Sequence, residues 1–222
     1  VNRDVDFGGA ITIARTSRGR DLLLAGQKSS TVWALDPDRE GAVVWRWEMG
    51  RGTPLGGVHW GLAFDGRRVF VPLNDPGQPR EGYTPHPGLY ALDVDTGEMI
   101  WSHQAKPACE GRRERAPRCE HYYGFSSAPT VLGNAVVQGS LDGWLRVFDA
   151  STGETVFEYD TLRDFEGANG VSGRGGAIDN AAITAAAGTV YVNSGYGMFG
   201  EPPGNVLLAF KPRARQTGAA VD

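Results

Sequence analysis

Residues 91–101 read Ala91-Leu-Asp-Val-Asp-Thr-Gly-Glu-Met-Ile-Trp101, and this stretch recurs along the chain. Two further copies are Val147-Phe-Asp-Ala-Ser-Thr-Gly-Glu-Thr-Val-Phe157 and Ala34-Leu-Asp-Pro-Asp-Arg-Glu-Gly-Ala-Val-Val-Trp45. The aromatic residues that close the copies stand at positions 45, 101 and 157, which are 56 residues apart each time. A regular period of this length is typical of repeat folds such as β-propellers.

Each copy of the repeat predicts a β-hairpin. An alternating apolar strand ends at an Asp, whose carboxylate caps the following turn through its own backbone. The Gly provides a positive φ at little cost, and a second strand then carries the Trp or Phe inward. Two more strand-like runs precede each hairpin, so that one repeat contains about four strands, the size of a propeller blade.

A fourth repeat is incomplete, with predicted strands at Thr189–Ser194 and Val206–Phe210 and no outer strand after them. We therefore expect an all-β protein with about four four-stranded antiparallel blades, the last of which lacks its outer strand. Residues 1–212 would form this partial propeller, and residues 213–222 a flexible tail. The blades are expected at about residues 4–50, 51–106, 120–162 and 172–211.

Composition supports the β assignment and excludes two classes of protein. Glycine contributes 32 of the 222 residues, roughly twice its usual share, as expected for many tight turns. The 22 Lys and Arg are outnumbered by 26 Asp and Glu, which argues against a nucleic-acid-binding protein. The chain has no apolar run of about 18 residues, so we expect no transmembrane helix.

The repeat resembles that of the quinoprotein alcohol dehydrogenases, which depend on pyrroloquinoline quinone (PQQ). Three segments are similar to the polyvinyl-alcohol dehydrogenase branch of that family, and the resemblance covers about residues 4–211. It implies the C-terminal half of an eight-bladed propeller, whose N-terminal half is missing here. The three segments are Gly57-Val-His-Trp-Gly61, Asn169-Gly-Val-Ser-Gly-Arg-Gly-Gly-Ala-Ile-Asp179 and Asn193-Ser-Gly-Tyr-Gly197.

The resemblance also implies an activity. Such an enzyme oxidises an alcohol, here polyvinyl alcohol or another secondary alcohol, by hydride transfer to the quinone. An Asp serves as the base, and Ca²⁺ serves as the Lewis acid. A cytochrome c is a typical electron acceptor, and the family implies a periplasmic or secreted location in the bacterial cell envelope.

Asp6 matches the catalytic and metal-binding aspartate of the family. It lies in Val5-Asp-Phe-Gly-Gly9, where relatives have a Trp in place of Val5. Lanthanide-dependent relatives place an Asp at the position of Gly8, so the resemblance favours calcium. The alternative for Asp6 is a turn residue that precedes a strand.

Three residues of the first two repeats match cofactor-binding positions. Lys28 corresponds to a cation that contacts the quinone oxygen, although a solvated loop Lys is the alternative. His59 and Trp60 are expected to begin the innermost strand of the second blade, where relatives have Asn-Trp. For Trp60, ordinary core packing is the alternative.

The third and fourth repeats offer three more candidates for cofactor binding. Phe125 lies where methanol-oxidising relatives stack a Trp under the quinone. Arg174 can bind a PQQ carboxylate bidentately, and Gly175 beside it lets the backbone approach closely. A glycine-rich loop with a solvated Arg is the alternative.

The two cysteines, Cys109 and Cys119, suggest a disulfide formed in an oxidising compartment. Metal binding is the weaker interpretation, since His121 is the near partner and no further Cys exists. The chain has no Cys-x-x-Cys-His, so the haem c of some relatives would lie elsewhere in a longer protein.

Two other hypotheses stay open. The chain could be a propeller of the outer-membrane assembly kind, which binds proteins and has no cofactor. It could also be a quinoprotein of the aldose type, with a different loop pattern. If the candidate side chains gather around one axis, the alcohol dehydrogenase hypothesis is favoured.

Overall fold

Five antiparallel sheets follow one another in the computed structural model, which describes residues 4–76 and 82–212. Four of them correspond to the predicted repeats. The predicted tail at 213–222 lies outside the described residues. A short 3₁₀ helix, Pro37–Arg39, is the helical element of this part of the chain.

The first three blades have four strands each, in simple sequential order. Blade 1 consists of Thr12–Arg15 (β1), Asp21–Gln27 (β2), Thr31–Asp36 (β3) and Ala42–Glu48 (β4). Blade 2 consists of Ala63–Phe64 (β5), Arg68–Leu73 (β6), Gly88–Asp93 (β7) and Met99–Gln104 (β8). Blade 3 consists of Thr130–Leu132 (β9), Ala135–Gly139 (β10), Trp144–Asp149 (β11) and Thr155–Asp160 (β12).

The last blade is smaller and is preceded by a separate hairpin. The hairpin pairs Asp164–Glu166 (β13) with Ser172–Arg174 (β14) and was not predicted from the sequence. Blade 4 consists of Ile183–Ala186 (β15), Thr189–Ser194 (β16) and Val206–Phe210 (β17). The two predicted strands of this repeat are confirmed, and up to residue 212 the sheet has three strands.

The repeated Asp and Gly act as the sequence predicts. In blade 2, the Asp93 carboxylate accepts hydrogen bonds from the backbone N–H groups of Asp95 and Thr96, at 2.9 and 3.1 Å. Asp149 caps the equivalent turn of blade 3 in the same way. Gly97 has a φ of 74°, in the left-handed region that favours glycine.

The same turns hold consecutive blades together. The Trp45 indole N–H of blade 1 donates to the Val94 carbonyl of blade 2 at 2.9 Å. The Trp101 indole of blade 2 donates equivalently to Ala150 of blade 3 at 2.9 Å. A Cβ atom on Gly97 would lie 2.7 Å from the Trp45 indole, so the repeat glycine also makes room for the preceding blade.

The innermost strand of blade 2 begins later than predicted. It starts at Ala63, not at His59, so the expectation that His59 and Trp60 begin this strand is wrong. Gly57 and Gly61 have φ values of 72° and 147°, which interrupt the extended backbone. His59 and Trp60 therefore lie in the segment that enters the blade.

The two cysteines form a disulfide that closes a loop over blade 3. Arg112, inside this loop, donates to the Asp160 carboxylate and to the Asp142 carbonyl, both at 2.7 Å. Closure of a loop of this length stabilises a fold by roughly 2–3 kcal/mol in the chain-entropy model. Both sulfur atoms are used in the bond, so neither cysteine is a free thiol.

Candidate functional site

A regular contact brings the entry segments of the blades to one end of the molecule. In each of blades 2, 3 and 4, one residue of the segment that leads into the blade donates a backbone hydrogen bond to the C-terminal end of the second strand of the preceding blade, or to the residue just after it. These residues are apolar and fully buried, since Val58, Phe125 and Ile178 are each 0% exposed. The hydrogen bonds run from Val58 to Gln27, from Phe125 to Leu73 and from Ile178 to Ser140.

The residue after each of these apolar anchors occupies an equivalent position in its blade. These residues are His59, Ser126 and Asp179, and all three are buried polar side chains. Neighbouring side chains in extended backbone point in opposite directions. Because the anchor side chain is buried between two blades, the side chain of the next residue points away from that core.

Asp6 and Lys28 meet at this end of blade 1. The Lys28 ammonium lies 3.0 Å from an Asp6 carboxylate oxygen and 3.3 Å from one of Asp4. The backbone N–H of Lys28 also donates to the Asp6 carbonyl at 3.0 Å. The Lys28 side chain is 11% exposed, whereas that of Asp6 is 65% exposed. The pair therefore consists of a buried cation and a carboxylate that solvent or a ligand can reach.

The charge of Lys28 is kept by its two acidic neighbours. Burial by itself lowers the pKa of Lys28, but hydrogen bonds and charges from Asp6 and Asp4 outweigh it. The net pKa is raised, so Lys28 is a permanent cation at this end of the blades.

His59 and Trp60 lie beside this pair and are stacked on each other. Their ring centroids are 4.2 Å apart, with planes inclined by 28°. Burial, followed by the charge of Lys28, lowers the pKa of His59 to about 4, against the opposite effect of Asp6 and Asp4. A Cβ on Gly8 would lie 3.0 Å from His59 Cδ2, so the glycine lets the Asp6 segment approach the imidazole.

The low pKa of His59 predicts an acid-dependent loss of stability. Between the usual value of 6.5 and about 4, the unfolded chain binds a proton at this residue and the folded chain does not. The stability is present above pH 6.5 and is lost as the pH falls towards 4. The loss of free energy of unfolding between pH 7 and pH 4 should be about 3 kcal/mol smaller in His59→Asn than in the original chain.

Urea unfolding at the two pH values measures this difference. His121→Asn, which removes a histidine outside the site, is the matched control and should keep the original pH dependence. An unchanged pH dependence in His59→Asn would contradict the neutral, buried imidazole.

In blade 4, the residue at the position equivalent to His59 is Asp179, whereas the sequence suggests Arg174 as the candidate of this repeat. Asp179 is 7% exposed. Its carboxylate oxygen Oδ1 accepts a hydrogen bond from the Asn180 N–H at 2.8 Å. Burial raises the pKa of Asp179, and the Glu201 charge acts in the same direction, against Ser126, the Asn180 N–H and Trp60. Asp179 could have been found from the sequence, because Ile178-Asp179 repeats the pattern of Val58-His59, an apolar residue followed by a polar one.

Phe125 does not lie with the other candidates. It is fully buried among Phe70, Phe148 and other residues of blades 2 and 3, and the His103 ring stacks on it. Phe125 thus has no free face to offer a cofactor. The next residue, Ser126, is 2% exposed and occupies the position that is equivalent to His59.

Arg174 and Gly175 also lie apart from the cluster around Lys28. Arg174 ends β14, its side chain is exposed, and the charge it acts on is that of Asp164. Its backbone N–H donates to the Asn205 side chain at 2.9 Å. A Cβ on Gly175 would clash with the carbonyl oxygen of Thr161, so this glycine serves the packing of two backbone segments.

The end of the blades thus presents a defined set of chemical groups. It holds a buried ammonium, an accessible carboxylate, a neutral imidazole, an indole and a buried carboxyl. The Trp60 indole N–H is buried and makes no direct hydrogen bond of normal geometry. Within the described ranges, Asp6 is not part of a group of three His, Cys, Asp or Glu close enough to hold a metal ion.

Comparison with known proteins identifies the repeat. The family described as outer membrane protein assembly factor BamB, a PQQ-type repeat family, matches residues 28–207. A polyvinylalcohol dehydrogenase from Sphingopyxis sp. (strain 113P3) is 34% identical over 220 residues, covering 93% of this chain. A polyvinylalcohol dehydrogenase from a Pseudomonas species is 33% identical over 95% of this chain. This chain spans about a third, 33%, of the length of each of these relatives.

Solved structures show the same architecture. Quinohemoprotein alcohol dehydrogenase ADHIIG from Pseudomonas putida HK5 superposes with a TM-score of 0.59 at 17% identity, over 88% of this chain and 29% of that one. BamB from Moraxella catarrhalis superposes with a TM-score of 0.55 at 20% identity, over 92% of this chain and 46% of that one. The described part of the chain contains no apolar helix of membrane-spanning length. By its repeat, this chain belongs to the PQQ-type repeat family, and its sheets are blades of a quinoprotein-type β-propeller.

Proposed function

We propose that this chain forms part of a PQQ- and calcium-dependent dehydrogenase that oxidises an alcohol. The observation that carries the proposal is the buried Lys28 ammonium, paired with the accessible Asp6 carboxylate beside the stacked rings of His59 and Trp60. A purely structural ion pair needs neither the second carboxylate nor a neutral, desolvated imidazole beside it. The identity to polyvinylalcohol dehydrogenases supports a polymeric or secondary alcohol as the substrate.

The described residues fit the quinone in part. PQQ presents carbonyl and carboxylate oxygens, which suit the Lys28 ammonium and the unpartnered indole N–H of Trp60. His59 adds a neutral imidazole, which can donate or accept a hydrogen bond without a charge cost. Lys28, His59 and Trp60 are therefore the residues proposed to hold the cofactor. Phe125 and Gly175 serve packing, and Arg174 is exposed on the hairpin before blade 4.

In the proposed reaction, PQQ supplies an acceptor for the two electrons and the hydrogen removed from the alcohol carbon. Asp6 accepts the hydroxyl proton, for which its exposed carboxylate is accessible. Lys28, 3.0 Å from the Asp6 carboxylate, provides positive charge where negative charge develops. Asp6 is also this chain's proposed ligand for calcium, and the remaining ligands would come from outside the described residues.

The replacement Asp6→Asn separates binding from chemistry. We expect alcohol oxidation to fall by about two orders of magnitude or more, because an amide cannot accept the proton. The Kd for PQQ should change only a few-fold, since the Lys28 ammonium remains. Rates with a dye acceptor and fluorescence titrations measure the two quantities. Equal losses of binding and rate would contradict the role of Asp6 as a base.

The direct test of the proposal is a titration of the chain with PQQ in the presence of calcium. Quenching of tryptophan fluorescence reports binding, because Trp60 lies in the proposed site. Saturable quenching with a 1:1 endpoint is the expected result. Linear, non-saturable quenching by a chain that is folded by circular dichroism would contradict the proposed cofactor site.

A second candidate function is a protein-binding propeller without a cofactor. The description of the matching family and the superposition on BamB favour it. It predicts no saturable PQQ binding and no effect of Lys28 or Asp6 on its partner affinity. The titration therefore separates the two functions.

We place the protein in the periplasm or outside the cell, where its disulfide is stable. A cytochrome c is the proposed electron acceptor, and a further propeller half is the proposed structural partner. The length of the curated relatives, about three times that of this chain, supports the additional half.

A further inference from the structure

Every blade fixes its own entry segment with one backbone hydrogen bond. One of the first two residues after the second strand donates its N–H to a carbonyl six positions before the first strand, as Asp6 is before Thr12. The residue that follows this carbonyl therefore has an equivalent place in all four blades. The four bonds run from Lys28 to Asp6, from Asn74 to Gly57, from Leu141 to Gly124 and from Gly195 to Ala177, at 2.8–3.1 Å.

Phe7 occupies in blade 1 the position of the apolar anchors of blades 2, 3 and 4. Those three anchors are fully buried against the preceding blade, whereas Phe7 is 51% exposed. Ile13, six positions after Phe7, shows the same difference. It corresponds to Phe64 and Val131, which pack on the cores between blades, but Ile13 is 71% exposed. Blade 1 therefore presents to solvent the apolar positions that the next two blades bury.

Leu207 is the matching exposed residue on blade 4. In each blade, one apolar residue of the third strand pairs with the residue just before the carbonyl that can accept the next anchor's N–H. In blades 1, 2 and 3 this apolar residue is at most 2% exposed and shares a core with the anchor of the following blade. In blade 4 it is Leu207, which is 65% exposed. The four pairs are Gly26 with Val32, Pro72 with Leu89, Gly139 with Leu145 and Asn193 with Leu207.

An open cavity lies beside Leu207, where the other blades receive an anchor. Its volume is about 420 Å³, and its lining includes Asn193, Ser194 and Leu207. Ser194 is the residue equivalent to the three backbone acceptors Gln27, Leu73 and Ser140. A cavity of about 150 Å³ is enough for a benzene ring, so this one has room for the side chain of Phe7.

We propose that this surface binds a second copy of the chain, with Phe7 of each copy inserted beside Leu207 of the other. The chain carries both members of a contact that three pairs of its own blades already make, so a second copy offers the complement of each exposed face. Under twofold symmetry the two contacts form together. Two copies of four blades would then close one ring of eight blades.

The dimer would also complete the surroundings of the candidate site. Phe7 follows Asp6 directly, and the Asp6 carbonyl is held by the Lys28 N–H at 3.0 Å. Insertion of Phe7 would fix this segment from its other side and bring blade 4 of the second copy next to the pair of Asp6 and Lys28. The inference deepens the proposed function by naming the further propeller half as a second copy, but dimerisation itself needs no cofactor.

Sedimentation velocity of the full chain tests the contact. We expect a dimer at micromolar concentrations. Phe7→Lys and Leu207→Glu should each raise the dimer Kd about 100-fold or more, because every dimer loses two apolar contacts. Met99→Lys and Val156→Glu place the same charges at outer-strand positions of blades 2 and 3 that are 50% and 61% exposed, and these controls should leave the Kd unchanged.

A mixture of the two interface variants tests whether the contact is reciprocal. In a mixed dimer, one contact keeps Phe7 and Leu207, and the other brings the introduced ammonium next to the introduced carboxylate. We expect the mixture of Phe7→Lys with Leu207→Glu to dimerise, although neither variant does so alone. A mixture that stays monomeric while both chains are folded by circular dichroism would contradict the reciprocal contact.

Two further outcomes would overturn the inference. One is a folded original chain that stays monomeric at its highest soluble concentration, which would leave a different propeller half as the partner of this surface. The other is a dimer that persists in both interface variants. A PQQ titration keeps the inference separate from the proposed function. Dimerisation without saturable PQQ binding supports the inference and refutes the proposed function, whereas PQQ binding by a monomer does the reverse.

Discussion

Replacement of Trp45 with alanine is expected to lower the free energy of unfolding by about 3–5 kcal/mol. The Trp45 side chain is 8% exposed and packs in the core between blades 1 and 2. Its removal leaves a cavity and also leaves the Val94 carbonyl without the indole N–H that it accepts at 2.9 Å. The two losses add because neighbouring atoms of the blades cannot collapse into the space. Urea unfolding followed by circular dichroism measures the change.

The repeat itself provides the matched control for this prediction. Phe157 occupies the same repeat position in blade 3 but is 44% exposed, so we expect Phe157→Ala to cost about 1 kcal/mol. Trp45→Phe should fall between the two, because it keeps most of the packing and loses the hydrogen bond. Similar losses of unfolding free energy in Trp45→Ala and Phe157→Ala would contradict the prediction that the buried Trp45 contact stabilises blades 1 and 2.

Replacement of Lys28 with alanine is expected to raise the Kd for PQQ about 100-fold. A buried ammonium that hydrogen-bonds a charged ligand contributes about 2–3 kcal/mol to binding. Its removal also leaves the carboxylates of Asp4 and Asp6 facing the ligand without a compensating cation. Their negative charge then repels an anionic quinone, so the loss exceeds that of a surface ion pair. Quenching of tryptophan fluorescence by added PQQ measures the Kd.

Two variants make the Lys28 prediction specific. Lys28→Arg keeps the charge and should weaken binding less than Lys28→Ala, although its planar group fits the same pocket differently. Lys106→Ala removes a positive charge from an exposed site elsewhere and should leave the Kd unchanged. If Lys106→Ala weakens binding as much as Lys28→Ala, net charge controls the affinity and Lys28 has no particular role.

The sequence alone determined the architecture, because the signals for it are local. Asp93 caps its turn from two or three residues away, and Gly97 sets the turn through its own φ. The strands Thr189–Ser194 and Val206–Phe210 follow from alternation over five or six residues. The Cys109–Cys119 pair also closes over a short loop. Such short-range patterns can be recognised in the sequence itself, and their 56-residue period indicated the blades.

The candidate site was only partly predictable from the sequence. The cluster of Asp6, Lys28, His59 and Trp60 was chosen by resemblance, and the structure brings these four residues together. The resemblance could not decide which residue of each later repeat faces the same place. In extended backbone, neighbouring side chains lie on opposite sides. Phe125 packs in the core between blades 2 and 3, whereas Ser126 takes the position equivalent to His59.

Only the tertiary structure decided which side chains meet at the end of the blades. Asp179 lies near Trp60 and Ser126 because three separate blades place their entry segments together. These contacts join residues that are 53 or more positions apart in the sequence, and no local pattern encodes such a distance. Arg174, whose guanidinium made it the candidate of this repeat, lies in the separate hairpin because β14 pairs with β13. The repeat determined the blades, and the packing of one blade on the next determined the site.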